Sequence, residues 1–131
     1  MLYLWVMLGS ALGGGARFMI SGIVAGNFGE TFPWGTLIVN ATGSFIIGFF
    51  ATLTGPDGRV FVGSDGRQFV MTGLCGGYTT FSSFSLQTLN LVRDGEMALA
   101  GANIGLSFAL CLIAVWTGHI AAAAVNQLRG A

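Results

Sequence analysis

Apolar residues form four long runs along the chain, separated by short polar turns. The runs cover roughly residues 2–26, 34–54, 68–92 and 97–125. Each run is long enough to cross the hydrocarbon core of a membrane as a helix, which takes ~20 mostly apolar residues. The pattern therefore predicts an all-α membrane protein with four transmembrane helices. The four runs occupy nearly all of residues 1–131, so we expect a single transmembrane domain.

The composition agrees with this pattern. Of the 131 residues, 53% are hydrophobic and only 8% are charged, whereas soluble proteins carry about 25% charged residues. The formal net charge is +0, so the chain lacks the basic face with which proteins bind nucleic acid. No catalytic triad, phosphate-binding loop or metal-ligand cluster is recognisable in the sequence, and His119 is a lone histidine near a helix end. We expect neither an enzyme nor a nucleic-acid partner.

The arginines show little preference for one side of the membrane. With four spans, both termini and the middle loop share one side, which holds Arg59, Arg67 and Arg129, while Arg93 lies on the other. Because Lys/Arg asymmetry sets orientation, such a weak bias permits insertion in both orientations. Arg17 lies inside the first run. It either attracts anions at a pore mouth or extends its charge to the membrane interface.

The four runs contain no aspartate, glutamate or lysine. Ionisable groups inside a bilayer are costly and usually functional, and a proton-coupled exporter usually needs a carboxylate there. The missing carboxylate argues against a small multidrug exporter, which the size and the four spans would otherwise suggest. A structural membrane protein without transport activity is the second alternative.

Neutral polar residues recur every four positions in two of the runs, so they share one face of each helix. They are Thr36, Asn40 and Ser44 in the second run, and Asn103, Ser107 and Cys111 in the fourth. Such a stripe either lines a path or joins helices through hydrogen bonds. For the asparagines the sequence favours a functional role, because an amide is expensive to bury without partners.

Glycines with a spacing of four residues predict close contacts between helices, because small residues let helix backbones approach each other in lipid. Four such pairs occur: Gly9 with Gly13, Gly22 with Gly26, Gly73 with Gly77, and Gly101 with Gly105. The spacing alone does not indicate which helices meet.

The third run contains a stretch that is poorly suited to a continuous helix. Gly76 and Gly77 are followed closely by Thr79 and Thr80, and these residue types have low helix propensity. The stretch lies near the centre of the run, where non-helical backbone is tolerated only if protein or a wet cavity surrounds it. Free carbonyls at that depth can bind ions. The alternative is an unbroken helix with glycine at a helix crossing.

Two phenylalanines, Phe81 and Phe84, follow this stretch, with Ser82 and Ser83 between them. Aromatic side chains in membrane helices mostly pack against lipid or protein. Here polar residues surround them and a predicted break lies beside them. Because the edge of an aromatic ring carries partial positive charge, a ring presented edge-on is a weak, uncharged ligand for an anion.

Three motifs resemble the Fluc/CrcB family of fluoride ion channels. They are GGYTTFSSFS at 76–85, WGTLIVN at 34–40 with Gly43 and Phe45 after it, and GGGAR at 13–17. The motif at 76–85 is specific and the other two support it. The match covers all four spans in order.

The resemblance implies a homodimer of two antiparallel protomers with dual topology, in which the third helix is broken in the middle of the membrane. It also implies a structural Na⁺ at the dimer interface, bound by backbone carbonyls that correspond to Gly76 and Thr79. A member of this family would let fluoride leave the cytoplasm passively across the cell (inner or plasma) membrane.

The resemblance further implies two fluoride pathways per dimer, each lined by Phe81, Phe84 and Asn40. The other candidate pathway residues are Thr36, Ser82, Ser107 and Asn103, and Arg17 is the candidate for an anion vestibule. In such a pathway, fluoride would exchange its bound water for hydrogen bonds from these donors and for contacts with the ring edges.

The sequence departs from the family pattern at a few pathway positions. Gln87 stands where members often have glutamate, and Asn103 stands where some have tyrosine. Cys111 and Val115 stand where members often keep serine and threonine. With fewer hydroxyl groups along the fourth span, we expect slower conduction.

Overall fold

The computed structural model describes residues 1–128. Arg129, one of the arginines in the orientation argument, lies outside the described residues. All regular structure within residues 1–128 is helical, which confirms the predicted all-α class. The elements are α1 (Leu2–Phe28), α2 (Trp34–Leu53), α3 (Ser64–Gln68), a π-helical segment (Phe69–Cys75), α4 (Gly76–Tyr78), α5 (Phe81–Arg93) and α6 (Met97–Leu128).

Three helices, α1, α2 and α6, are long and apolar enough to cross a membrane. They correspond to the first, second and fourth predicted runs. Many of their large apolar side chains point away from the protein: Phe18 is 80% exposed and Trp116 is 64% exposed. A helix that is apolar on its outer face as well as its inner face is typical of a membrane span.

The region of the third predicted run is less regular. α3, the π-helical segment and α4 follow one another without a gap, but Thr79 (φ −115°, ψ 122°) and Thr80 (φ −129°, ψ 113°) are extended. Both are β-branched, and such residues favour extended backbone. The N–H of Ser83 donates to Thr80 Oγ1 at 3.2 Å, so Thr80 is the N-cap from which α5 begins.

The glycines expected to disturb this region are in fact helical. Gly76 and Gly77 lie in α4, and the interruption falls on the two threonines that follow. The π-helical segment Phe69–Cys75 was not predicted, and nothing in the apolar pattern indicates it. Such segments are rare and are frequently found at functional sites.

Glycines set the closest helix contacts. α2 packs mainly against α6, and α1 packs mainly against the π-helical segment and α4. A Cβ at Gly118 would overlap the carbonyl oxygen of Phe45, and one at Gly48 would overlap that of Val115. Only residues without a side chain permit this approach of α2 and α6.

The four predicted glycine pairs divide into two groups. Gly9 and Gly13 lie against the helical run that contains Gly73 and Gly77, so the prediction of close packing is confirmed for these two pairs. A Cβ at any of the other glycines would meet nothing within 4 Å among residues 1–128: Gly22, Gly26, Gly101 and Gly105. The contact through Gly48 and Gly118 was not predicted, because these residues lie in different helices.

We expect Gly118→Ala to destabilise the protein by about 1–3 kcal/mol, since the added methyl group forces α2 and α6 apart. The measurement is thermal unfolding of the purified protein in detergent. Gly101→Ala is the matched control on the same helix, because a Cβ there meets nothing within 4 Å. Equal melting temperatures for Gly118→Ala and wild type would contradict this account of the packing.

Candidate ion pathway

A cleft of about 320 Å³ lies between α2, α5 and α6, beside the two extended threonines. It brings together residues from both polar stripes and from the aromatic motif. The lining residues are Asn40, Ser44, Thr79, Thr80, Phe81, Phe84, Ser107, Phe108 and Cys111. None of these side chains is acidic or basic, so the ligands that the cleft offers are neutral.

Asn40 is paired with the backbone of Thr80 through both ends of its amide. Asn40 Nδ2 donates to the Thr80 carbonyl at 3.2 Å, and the Thr80 N–H donates to Asn40 Oδ1 at 2.7 Å. Extended backbone between two helices lacks helical partners, and the asparagine replaces them. Because an amide has two N–H donors, this pairing uses only one N–H of Asn40.

The extended threonines lie against the middle of α2. A Cβ at Gly43 would overlap Cγ2 of Thr79, so a glycine is needed at this position of α2. The hydroxyls of Thr42 and Tyr78 are 2.7 Å apart and join α2 to the end of α4. The interruption is thus held by side chains and backbone near the centre of α2, which runs from Trp34 to Leu53.

Three phenylalanines follow one another along the cleft. The ring centroids of Phe81 and Phe84 are 5.4 Å apart, and Phe84 meets Phe108 at 6.0 Å in an edge-to-face arrangement of 80°. Phe84 is 8% exposed, whereas Phe81 is 69% exposed and lies at the surface of the molecule. Phe108 was not predicted, because one phenylalanine in an apolar run carries no distinguishing signal.

Ser107 and Asn103 occupy different positions relative to the cleft. Ser107 lines it, while Asn103 is only 2% exposed and lies behind Ser107. Ser107 Oγ donates to Asn103 Oδ1 at 3.3 Å, and Asn103 Nδ2 donates to Thr88 Oγ1 at 2.9 Å. The amide therefore has partners at both ends, as buried polar groups require. Thr88 was not singled out in the sequence, although it lies one turn beyond Phe84.

Thr36 belongs to a second cavity, of about 540 Å³, formed where the C-terminal end of α1, the N-terminal end of α2 and the C-terminal part of α5 meet. Gln87, Glu30 and Asp94 also line this cavity. The oxygen of the Gln87 amide is buried there without a hydrogen-bond partner among the described residues. The structure thus separates Thr36 from the cleft that contains Asn40.

Ser82 and Arg17 lie at the edges of the interrupted segment. Ser82 is exposed, and its hydroxyl is 3.2 Å from Thr80 Oγ1. Arg17 Nε donates to the Gly77 carbonyl at 3.3 Å. A cation is favourable near the C-terminal end of a helix because unpaired carbonyls collect there. Arg17 therefore stands beside the end of α4 and well inside α1.

The carbonyls expected to bind Na⁺ are in a suitable setting. In a continuous helix the Gly76 carbonyl would accept from the Thr80 N–H, but that N–H is donated to Asn40. Thr79 is extended, and Gly76 is exposed on the surface of the molecule. Hard cations take several oxygen ligands, backbone carbonyls among them. The two carbonyls fit such an ion if further oxygens come from outside this chain.

These features define an integral membrane protein in which neutral polar groups converge on a cleft beside an interrupted helical region. The family model described as CrcB-like protein, Camphor Resistance (CrcB), matches residues 4–119. The chain belongs to this CrcB family, which is the family that the sequence motifs indicated.

Similar proteins from several bacteria carry the name fluoride-specific ion channel FluC. That of Opitutus terrae is 66% identical over 98% of this chain and 98% of the relative. That of Methylocella silvestris is 64% identical with the same coverage of both chains. That of Rhodospirillum rubrum is 58% identical over 97% of this chain and 98% of the relative.

Replacing Asn40 by leucine is expected to expose the Thr80 N–H, because no other partner replaces the amide oxygen. Hydrogen exchange in the segment around Thr80 should then be faster by about fivefold or more, the factor that one net hydrogen bond contributes. Exchange measured by mass spectrometry tests this. Ser44→Ala is the control, since Ser44 is one turn further along α2 and lines the same cleft. Unchanged exchange in Asn40→Leu would contradict the pairing.

Proposed function

We propose that this chain is a fluoride-selective ion channel that lets fluoride leave the cytoplasm passively, down its electrochemical gradient, across the cell membrane. Its membership of the CrcB family and the near full-length similarity to proteins named fluoride-specific ion channel support this function. The structural observation that carries it is the neutral cleft in which Asn40, Ser107 and the two phenylalanines Phe81 and Phe84 meet. The proteins that it resembles are channels, and no catalysed reaction is assigned.

The conduction mechanism follows from the ligands in the cleft. Fluoride holds its water tightly, so a pore must replace that water without binding the ion too strongly. The N–H of Asn40 that Thr80 does not use would donate to the ion, the Ser107 hydroxyl would donate once it turns away from Asn103, and Phe81 and Phe84 would offer ring edges. All four are uncharged and therefore weak ligands. A carboxylate, which would repel fluoride, is absent from the residues that line the cleft.

The remaining candidate residues are assigned to the approaches to this cleft. Ser82 and Thr36 would offer hydroxyls before and after it, and Asn103 would act from behind Ser107. Arg17 would raise the potential for an anion near the interruption, since its charge lies beside the end of α4. These assignments rest on the positions of the residues relative to the cleft.

The functional unit that we propose is an antiparallel homodimer with dual topology. In this arrangement residues 64–93 form one span, which is broken in the middle of the membrane. Phe81 is 69% exposed, and Ser82 and the backbone of Gly76 are also exposed on the protomer. Lipid does not provide partners for polar groups, so a second copy of the chain is the natural cover for this face.

A structural Na⁺ between the two copies completes the proposal. The carbonyls of Gly76 and Thr79 from each copy would bind it. When bound, the ion supplies positive charge at mid-depth and links the protomers. The support is chemical. The Thr80 N–H is donated to Asn40 and the Ser83 N–H to Thr80 Oγ1, so the carbonyls of Gly76 and Thr79 lack the donors that a continuous helix would supply, and such oxygens suit a hard cation.

Fluoride efflux from liposomes tests the function. Purified protein is reconstituted, valinomycin provides the counter-current, and a fluoride electrode records release, with chloride release as the selectivity control. We expect fast fluoride release from wild type without chloride release. Phe81→Ala and Asn40→Asp should slow it by about tenfold or more, equivalent to about 1.4 kcal/mol in the barrier. The new carboxylate in Asn40→Asp repels fluoride and also faces the Thr80 carbonyl.

Matched variants separate these effects from general damage. Phe61→Ala removes a phenylalanine that is 93% exposed in the loop between α2 and α3. Asn27→Asp changes an asparagine whose side chain, within residues 1–128, donates only to the Ile23 carbonyl of its own helix. Both should conduct like wild type. No fluoride release from folded, dimeric wild type would contradict the channel and favour an exporter or a structural protein.

Replacing Na⁺ by N-methylglucamine should weaken the dimer, because the large organic cation cannot sit among backbone carbonyls. The measurement is the dimer fraction of dilute, detergent-solubilised protein, determined by light scattering, with Na⁺ titrated back. Recovery with Na⁺ but not with choline is the expected result. A dimer fraction that is independent of Na⁺ would reject the proposed metal site and leave the fluoride pathway unaffected.

A further inference from the structure

A directed chain of hydrogen bonds lies behind the cleft. Ser107 donates to Asn103 Oδ1, Asn103 Nδ2 donates to Thr88 Oγ1, and Thr88 Oγ1 donates to the Phe84 carbonyl at 2.8 Å. Each hydroxyl has a single proton, so the three hydrogen bonds run in one direction, from α6 towards the backbone of α5. Asn103 is the central member, and at 2% exposure it has no access to the cleft.

The direction of these hydrogen bonds determines how the Ser107 hydroxyl is oriented. Its only proton is donated to Asn103, so the side of the hydroxyl that faces the cleft presents lone pairs. Lone pairs repel an anion. Ser107 can donate to fluoride only after its hydroxyl rotates away from Asn103 Oδ1, and the amide oxygen then loses a donor.

We propose that Asn103, held in place by Thr88, is a positioning residue that sets the direction of the Ser107 hydroxyl and does not itself contact fluoride. The inference rests on the proposed fluoride conduction and deepens it. Competition between Asn103 and the ion for one proton makes Ser107 a weaker ligand than a free hydroxyl. A conducting site needs this property, because an ion that binds too tightly does not leave.

A double-mutant cycle isolates the competition. Ser107→Ala is made in wild type and in Asn103→Leu, which has a similar volume but no amide. The readout is the fluoride concentration that gives half-maximal flux in liposomes. Without Asn103 the hydroxyl is free to donate, so Asn103→Leu alone should lower this concentration by about fivefold. Ser107→Ala should then raise it by about fivefold more in the Asn103→Leu background than in wild type.

Substitutions at Thr88 give a second test. They change the packing less than Asn103→Leu does, and the test does not require that Asn103→Leu folds. Thr88→Ser keeps the hydroxyl that anchors Asn103, and Thr88→Val keeps the shape but removes the hydroxyl. A positioning role predicts that the serine variant matches wild type and that the valine variant shifts towards Asn103→Leu. A packing role predicts the reverse order, so that result would overturn the inference.

A control variant and two further outcomes complete the test. Thr117→Ala removes a hydroxyl on the outer face of α6, which bonds only to the Ala114 carbonyl of its own helix among the residues that the structure describes, and should leave the half-maximal concentration unchanged. Equal effects of Ser107→Ala in both backgrounds would refute the positioning role while fluoride conduction stands. No fluoride flux in wild type would contradict the proposed function, and the inference with it.

Discussion

The pairing of the Asn40 amide with the backbone of Thr80 is the interaction on which the site depends. Two extended residues between helices leave an N–H and a carbonyl without helical partners, and in an apolar surrounding each unpaired group is expensive. One side chain on α2 satisfies both groups at 2.7 and 3.2 Å. With this pair in place, α5 can begin at Phe81, and the carbonyl of Gly76 is left without its helical donor.

Other polar groups inside the protein also have hydrogen-bond partners within it. Arg17 donates to the carbonyl of Gly77 near the end of α4, and the amide of Asn103 is bonded at both ends. Groups that already have partners within the protein do not need an ion, so they bind one weakly and exchange it readily. Neutral, pre-bonded donors are therefore a physical route to a site that an anion enters and leaves.

The surface of this chain is not uniformly suited to lipid. Much of its exterior is apolar and suits lipid, yet Ser82, the ring of Phe81 and the backbone of Gly76 are exposed beside the interruption. These groups belong to the region that the cleft and the candidate cation site share. The proposed second copy, the proposed Na⁺ and the proposed pathway are thus linked, since all of them concern one face of the molecule.

The sequence alone determined the helical class, three of the four predicted apolar spans and the family, because apolar run length and the motif at 76–85 are local properties of the chain. It also placed Asn40 and Ser107 on polar stripes. Only the tertiary structure decided that the interruption falls on Thr79 and Thr80, that Asn40 bonds to it, and that Asn103 lies behind the cleft. These outcomes depend on which helices meet, and residue spacing within one helix carries no information about its neighbours.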